Sequence, residues 1–213
     1  RPIGPGDFIP LAEETGLINQ IGGWVLRTAC RQAKEWNGNG LDALFVAVNM
    51  SGRQMTGHNF IDLVSEVLEE TGLPPQCLHL EVTESILMDD IAESIIILEG
   101  LHATGVPLSI DDFGTGFSSL SYLKKFSFST LKIDRSFVHD LLVDKDDTAL
   151  TQAIIAMAKG LKIGTVAEGI ETKEQLEFLR SKKCLYGQGY LFSKAVAAEE
   201  FLAYVKSVNS GSA

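Results

Sequence analysis

Short apolar runs and longer stretches of helical periodicity alternate about six times along this chain of 213 residues. The runs that read as strands are Leu44–Asn49, Leu78–Glu81, the stretch of Val106, Leu108 and Ile110 up to Asp111, Thr130–Asp134, Ile163–Glu168 and Tyr190–Phe192. Helical spacing covers Phe8–Leu17, with Pro10 suited to a first turn, and Trp24–Trp36 after a break at Gly22-Gly23. It returns at Ile61–Glu70, Asp90–Thr104, Asp147–Leu161, Thr172–Lys182 and Glu199–Val208, with a short helix expected over Leu120–Phe126. Gly72 reads as a helix C-terminal cap, and Asp90/Glu93 and Thr172/Gln175 as N-terminal capping pairs. Regular alternation of this kind demands a parallel sheet with right-handed crossovers. An open doubly wound sheet and a closed barrel both satisfy it. No Gly-x-Gly-x-x-Gly opens a helix after an early strand, so a dinucleotide fold is weakly supported.

The polar residues decide between them. Asn49, Glu81, Asp111 with Asp112, Lys132, Glu168 and Gln188 fall at or near the ends of successive strands, 32, 30, 21, 36 and 20 residues apart. Each interval is about one strand–helix unit. A barrel gathers strand ends into one ring, and its chemistry lies there. This ring holds acids, amides and one amine, without sulfur or imidazole. That is a donor set for a hard cation such as Mg²⁺ or Mn²⁺.

The stretch Leu108–Ser119 concentrates the signal, since two adjacent carboxylates end an apolar run and Gly114 and Gly116 follow at once. Adjacent acids beside a buried strand need a cation between them, and the glycines let the loop turn tightly. Metal-assisted attack of water on a phosphate ester uses these parts: Asp111 bridging two metals, Glu168 taking the water proton, Lys132 holding the water or a phosphate oxygen. Enolase-type proton abstraction also uses acids, Mg²⁺ and a lysine, and spacing does not separate the two.

Composition excludes other classes. The net charge is −10, against the basic face that a duplex nucleic-acid binder needs. No apolar run approaches a membrane span and no secretory signal opens the chain. Cys30, Cys77 and Cys184 are odd in number and far apart, as expected of thiols in a reducing, cytoplasmic compartment.

Seven motifs in order resemble one family, the EAL domains, cyclic-di-GMP phosphodiesterases of bacterial signalling. They are Asp7-Phe-Ile-Pro-Leu-Ala-Glu-Glu-Thr-Gly-Leu17, Val48-Asn-Met-Ser51, Glu81-Val-Thr-Glu84, Asp111-Asp-Phe-Gly-Thr-Gly116, Leu131-Lys-Ile-Asp-Arg135, Val166-Ala-Glu-Gly-Ile-Glu171 and Gly187-Gln-Gly-Tyr-Leu-Phe-Ser193. The resemblance implies an α/β fold, a modified TIM (β/α)8-type barrel, over residues 1–209, with 210–213 a disordered tail. It implies hydrolysis of cyclic di-GMP to linear pGpG with two Mg²⁺ or Mn²⁺ ions. Asn49, Glu81 and Asp111 would hold one ion, and Asp111 and Asp112 the second, beside Glu168. Glu168 would be the general base and Lys132 would sit by the attacking water. Gln188, Glu171 and Asp134 would complete the substrate site, and Glu84 would steady the Asp112–Ser119 loop, which the family couples to dimer contacts. Glu84, Glu171 and Asp134 also fit a loop-anchoring role. Sensor or GGDEF-type domains would lie upstream, and the full protein would be free to tether to a membrane.

The same resemblance marks two departures. The namesake Glu-Ala-Leu strand, with a further metal ligand and a nearby arginine, would precede Arg1. The barrel is therefore expected to lack its first strands, to expose open edges at Leu44–Phe45 and at the last strand, and to have weak or no activity as written. Leu185 and Ala195 stand where the family often has Asp and Pro. The alternative function is a receptor that binds cyclic di-GMP without cutting it.

Overall fold

The computed structural model describes residues 3–38, 41, 44–55, 59–116, 123 and 125–209; the tail 210–213, the end of the glycine loop at 117–119 and most of the expected helix at 120–126 lie outside them. Six strands form one sheet in sequence order: β1 (Val46–Asn49), β2 (Leu78–Thr83), β3 (Leu108–Phe113), β4 (Thr130–Ile133), β5 (Gly164–Ala167) and β6 (Tyr186–Gly187). Every pairing is parallel. The sheet curls into a half-barrel. Among the described residues β1 and β6 are its edges; Phe45, just before β1, and Tyr186, in β6, are 46% and 52% exposed.

The helices are α1 (Pro5–Thr15), α2 (Ile18–Gly38), α3 (Asn59–Thr71), α4 (Glu84–Asp89), α5 (Ile91–Ala103), α6 (Arg135–His139), α7 (Lys145–Leu161), α8 (Lys173–Ser181) and α9 (Ala198–Asn209). None is long and apolar enough to cross a membrane. The three cysteines are free thiols.

Strand residues alternate between two faces, and the register makes those faces chemically opposite. One face pairs Val48 with Leu80, Leu80 with Leu108, Val82 with Ile110, Ile110 with Leu131 and Ile133 with Ala167. These side chains are buried in a single core with helix residues such as Leu26, Val64, Leu101 and Ile155. The other face pairs Asn49 with Glu81, Glu81 with Ser109, Thr83 with Asp111 and Ser109 with Thr130, and it carries Lys132. The apolar face supplies the stability; the polar face is what the curl encloses.

Several local expectations are corrected. Pro5, not Pro10, occupies the first turn of α1, and Pro10 sits inside the helix. Gly22-Gly23 does not break α2, which runs through both. The Gln54 amide lies where a Cβ on Gly22 would stand, so the glycine serves close packing there. The last strand is Tyr186–Gly187, and Tyr190–Phe192 is a turn after it. Two short helices, α4 and α6, follow β2 and β4 directly and were not anticipated. The capping pairs hold: Asp90 accepts from the Glu93 N–H, and Thr172 with Gln175 forms a reciprocal capping box.

Leu131 is fully buried at the centre of the apolar face. Leu131→Ala is expected to cost about 3 kcal/mol of unfolding free energy, read by denaturant titration. A loss below about 1 kcal/mol would mean that this face is not the core.

Candidate active site

The C-terminal ends of β2, β3, β4 and β5 deliver one charged cluster. Lys132 Nζ lies 2.6 Å from Glu81 Oε2, 3.0 Å from Asp111 Oδ2 and 2.7 Å from Glu168 Oε1. Glu81, Asp111 and Lys132 are each less than a tenth exposed. Lys132 is there because it alternates with Leu131 and Ile133, which face the core. Glu168 is the first residue past β5, and its N–H donates to the Ile133 carbonyl at 3.2 Å.

Asp111 and Asp112 reach this cluster through an irregularity in β3. Its register against β4 slips between Ile110–Leu131 and Phe113–Ile133, so three steps along β3 match two along β4. That is a β-bulge, with both aspartates opposite Lys132. Asp112 takes a left-handed φ of 53°, which aspartate tolerates better than most residues. The bulge puts consecutive carboxylates at one site, where a regular strand would send them to opposite faces. Ligand oxygens of Asp111, Asp112 and Glu168 lie within 4.8 Å of one another.

The electrostatics follow from burial. Removal from water raises the pKa of Glu81 and Glu168, and the one ammonium they share with Asp111 offsets this only in part. Burial alone would lower Lys132, but hydrogen bonds from it to Glu168 and Glu81 outweigh that and hold it firmly charged. Asp112 is pushed up by burial and by the charges of Asp111 and Asp134. Asp134 goes the other way: burial is outweighed by its bonds to Ser136, whose N–H donates at 2.9 Å, and to Arg135. Within that contacting pair Asp112 is therefore the harder to ionise and Asp134 the easier.

The remaining sequence-selected residues stand around the cluster. Asn49 ends β1 in register with Glu81 and is exposed. Glu84 opens α4, is 2% exposed and accepts from the Gly114 N–H at 3.1 Å. Gly114 has a φ of 102°, and a Cβ there would lie 2.8 Å from the Phe137 ring, so this turn requires glycine. Asp134 caps α6 beside Asp112. Glu171 lines a surface pocket with Arg135 and His139, and Gln188 lines a cleft with Trp36, Tyr190 and Phe201. These two lie in the loops after β5 and β6, and among the described residues no hydrogen bond or ion pair joins their side chains to the cluster. Ser136 carries no sequence signal of its own beyond following Asp134, whose side chain caps α6 by accepting from the Ser136 N–H.

A group whose folded-state pKa lies above its unfolded value stabilises the fold while protonated and loses that contribution as pH rises through the folded value. Glu168 is such a group. In metal-free protein, Glu168→Gln is expected to raise the unfolding midpoint at neutral pH. The gain should vanish below the ordinary glutamate range, where the wild-type carboxyl is neutral too. Melting curves at both pH values check this; a midpoint lowered at neutral pH would mean that the Lys132 pairing outweighs burial.

The EAL domain family profile matches residues 1–195. The chain is 49% identical over 203 residues to the bifunctional diguanylate cyclase/cyclic di-GMP phosphodiesterase MucR of Pseudomonas aeruginosa, covering 95% of this chain and 30% of that protein. It is 48% identical over 203 residues to the cyclic di-GMP phosphodiesterase NbdA of the same organism, covering 94% and 26%. It thus spans less than a third of the length of these curated relatives. The PaMucR phosphodiesterase, solved as its c-di-GMP complex, superposes with a TM-score of 0.90 at 49% identity over 93% of this chain and 81% of that one. With its polar half-barrel face, its strand-end acids and these similarities, the chain belongs to the EAL domain family.

Proposed function

We propose that the intact domain to which this chain belongs hydrolyses cyclic di-GMP to linear pGpG, by metal-assisted attack of water on one phosphodiester. The observation that carries this reading is the Lys132 ammonium gripped by Glu81, Asp111 and Glu168 with Asp112 alongside. The names of MucR and NbdA support the substrate.

The donor set fits Mg²⁺ or Mn²⁺, since every candidate ligand is a hard oxygen. Asn49, Glu81 and Asp111 would hold one ion; Asp111, Asp112 and Glu168 would hold another. When bound, such ions supply hydroxide near neutral pH and offset phosphate charge, which a chain of net charge −10 needs before it accepts an anion.

The chain's own residues do the rest. Glu168 accepts the proton of the attacking water, and burial makes it more basic than an ordinary glutamate. Lys132 stays charged and donates to that water or to a phosphate oxygen as negative charge builds. Gln188, Glu171 and Asp134 contact the dinucleotide. Glu84 steadies the glycine loop through Gly114. A cytoplasmic setting and a homodimer belong to the same reading, as do upstream sensor or GGDEF-type domains, which the length of the relatives and MucR's second named activity support.

The full-length protein is expected to form pGpG only with Mg²⁺ or Mn²⁺, and Ca²⁺, larger and looser in its coordination, is expected to inhibit. Product chromatography tests this, and turnover in excess chelator would refute it. Glu168→Gln is expected to keep cyclic di-GMP binding while kcat falls about 10³-fold. Binding with no turnover by the wild type under all metals would make the domain a receptor instead.

A further inference from the structure

Gln175 in α8 is 6% exposed, and its carboxamide is fully used. Oε1 accepts from the Glu171 N–H at 2.8 Å and the Thr172 N–H at 2.9 Å. Nε2 donates to the Val138 carbonyl at 3.0 Å and the His139 carbonyl at 3.2 Å. Two donors face the oxygen and two acceptors face the nitrogen, so only one orientation of the amide satisfies all four. A capping box explains only the local bonds within Glu171–Gln175. It does not explain two bonds to a helix 36 and 37 residues earlier in the chain.

The two segments joined here are the ones that carry the site. Glu171 and Thr172 end the loop that starts at Glu168. Val138 and His139 end α6, whose N-cap is Asp134, the contact of Asp112. Between the joined ends the segments are in close contact. Gly169 takes a φ of 71°, and a Cβ on it would lie 2.8 Å from the Arg135 Cβ. Ile170 is fully buried, and its N–H donates to the Gln188 carbonyl at 3.0 Å. The Val138 carbonyl already accepts from the Leu141 N–H at 3.3 Å in the turn after the helix. Gln175 adds a second donor there and one to the His139 carbonyl, both from a distant part of the chain.

We infer that Gln175 is the positioning residue of this site: its buried carboxamide locks the loop of Glu168 to the helix of Asp134 and so fixes where both carboxylates stand. This rests on the proposed metal site, and it adds a residue that touches neither metal nor substrate. Small displacements of a ligating or catalytic group cost one to two orders of magnitude.

The test is a double-mutant cycle read by Mn²⁺ binding to the full-length protein, with Gln175→Met, Glu168→Gln and both together. Gln175→Met keeps the side-chain volume and removes all four bonds. We expect its Mn²⁺ dissociation constant to rise about tenfold. In the Glu168→Gln background the same change should add clearly less than tenfold, because one of the two carboxylates it positions is already lost. Amide exchange should quicken over 168–172 and 135–140 while β1–β3 keep their protection. With cyclic di-GMP, kcat should fall more than KM rises. A merely structural role would lower the melting midpoint and leave the Mn²⁺ constant unchanged, or shift it equally in both backgrounds; either result overturns the inference. If Gln175→Met does not fold, Gln175→Glu, which retains the acceptor oxygen but has no donor for Val138 and His139, is judged by the same criteria. A wild type that binds Mn²⁺ yet leaves cyclic di-GMP intact would sink the hydrolytic reading and leave this cycle fully readable.

Discussion

One ammonium group, Lys132 Nζ, stands between three carboxylates from three other strands or strand ends. The polar side of the sheet depends on it. Three acids so far withdrawn from water, two of them buried, would without a cation repel one another and take up protons. The ammonium lets them converge, but a single positive charge cannot balance them all, and Glu81 and Glu168 remain harder to ionise than in water. The cluster is thus a site short of positive charge. Removing Lys132 would leave the three acids uncompensated, which is far costlier than exchanging a surface pair. The stability that tolerates such an arrangement comes from the opposite face, where Leu80, Leu108, Ile110 and Leu131 pack against the helices.

The backbone contributes as much as the charges. In a regular strand Asp111 and Asp112 would point to opposite faces, and one of them would enter the apolar core. The bulge in β3 removes that conflict. Its extra residue takes a left-handed conformation, and the loop leaves at once through Gly114, tied to Glu84. A single backbone irregularity therefore carries the strand-end chemistry from a line of acids to a converging group.

Much of this was legible in the chain. Alternating segments gave the parallel sheet, and the repeated interval between strand-end polar residues marked the site, because both follow from local periodicity and from burial cost. What escaped is set by tertiary contact. Tyr186–Gly187 is a strand only because β5 lies beside it; two residues with a glycine carry no propensity signal. Gly22-Gly23 looks like a break until Gln54 is seen against it. The helices α4 and α6 are too short for periodicity to register. Gln175 was visible as a cap, but its bonds to Val138 and His139 join distant parts of the chain. The charge relation between Asp112 and Asp134 likewise needs coordinates.

The left-handed backbone at Asp112 also shapes how such a protein drifts over generations. Asparagine and glycine accept that geometry at least as readily as aspartate, whereas branched or bulky residues strain it. Replacement by either of the tolerant pair removes a carboxylate and leaves the scaffold intact. Selection for foldedness alone is blind to that exchange, so a lineage can shed its chemistry here while its descendants persist as well-formed, silent copies.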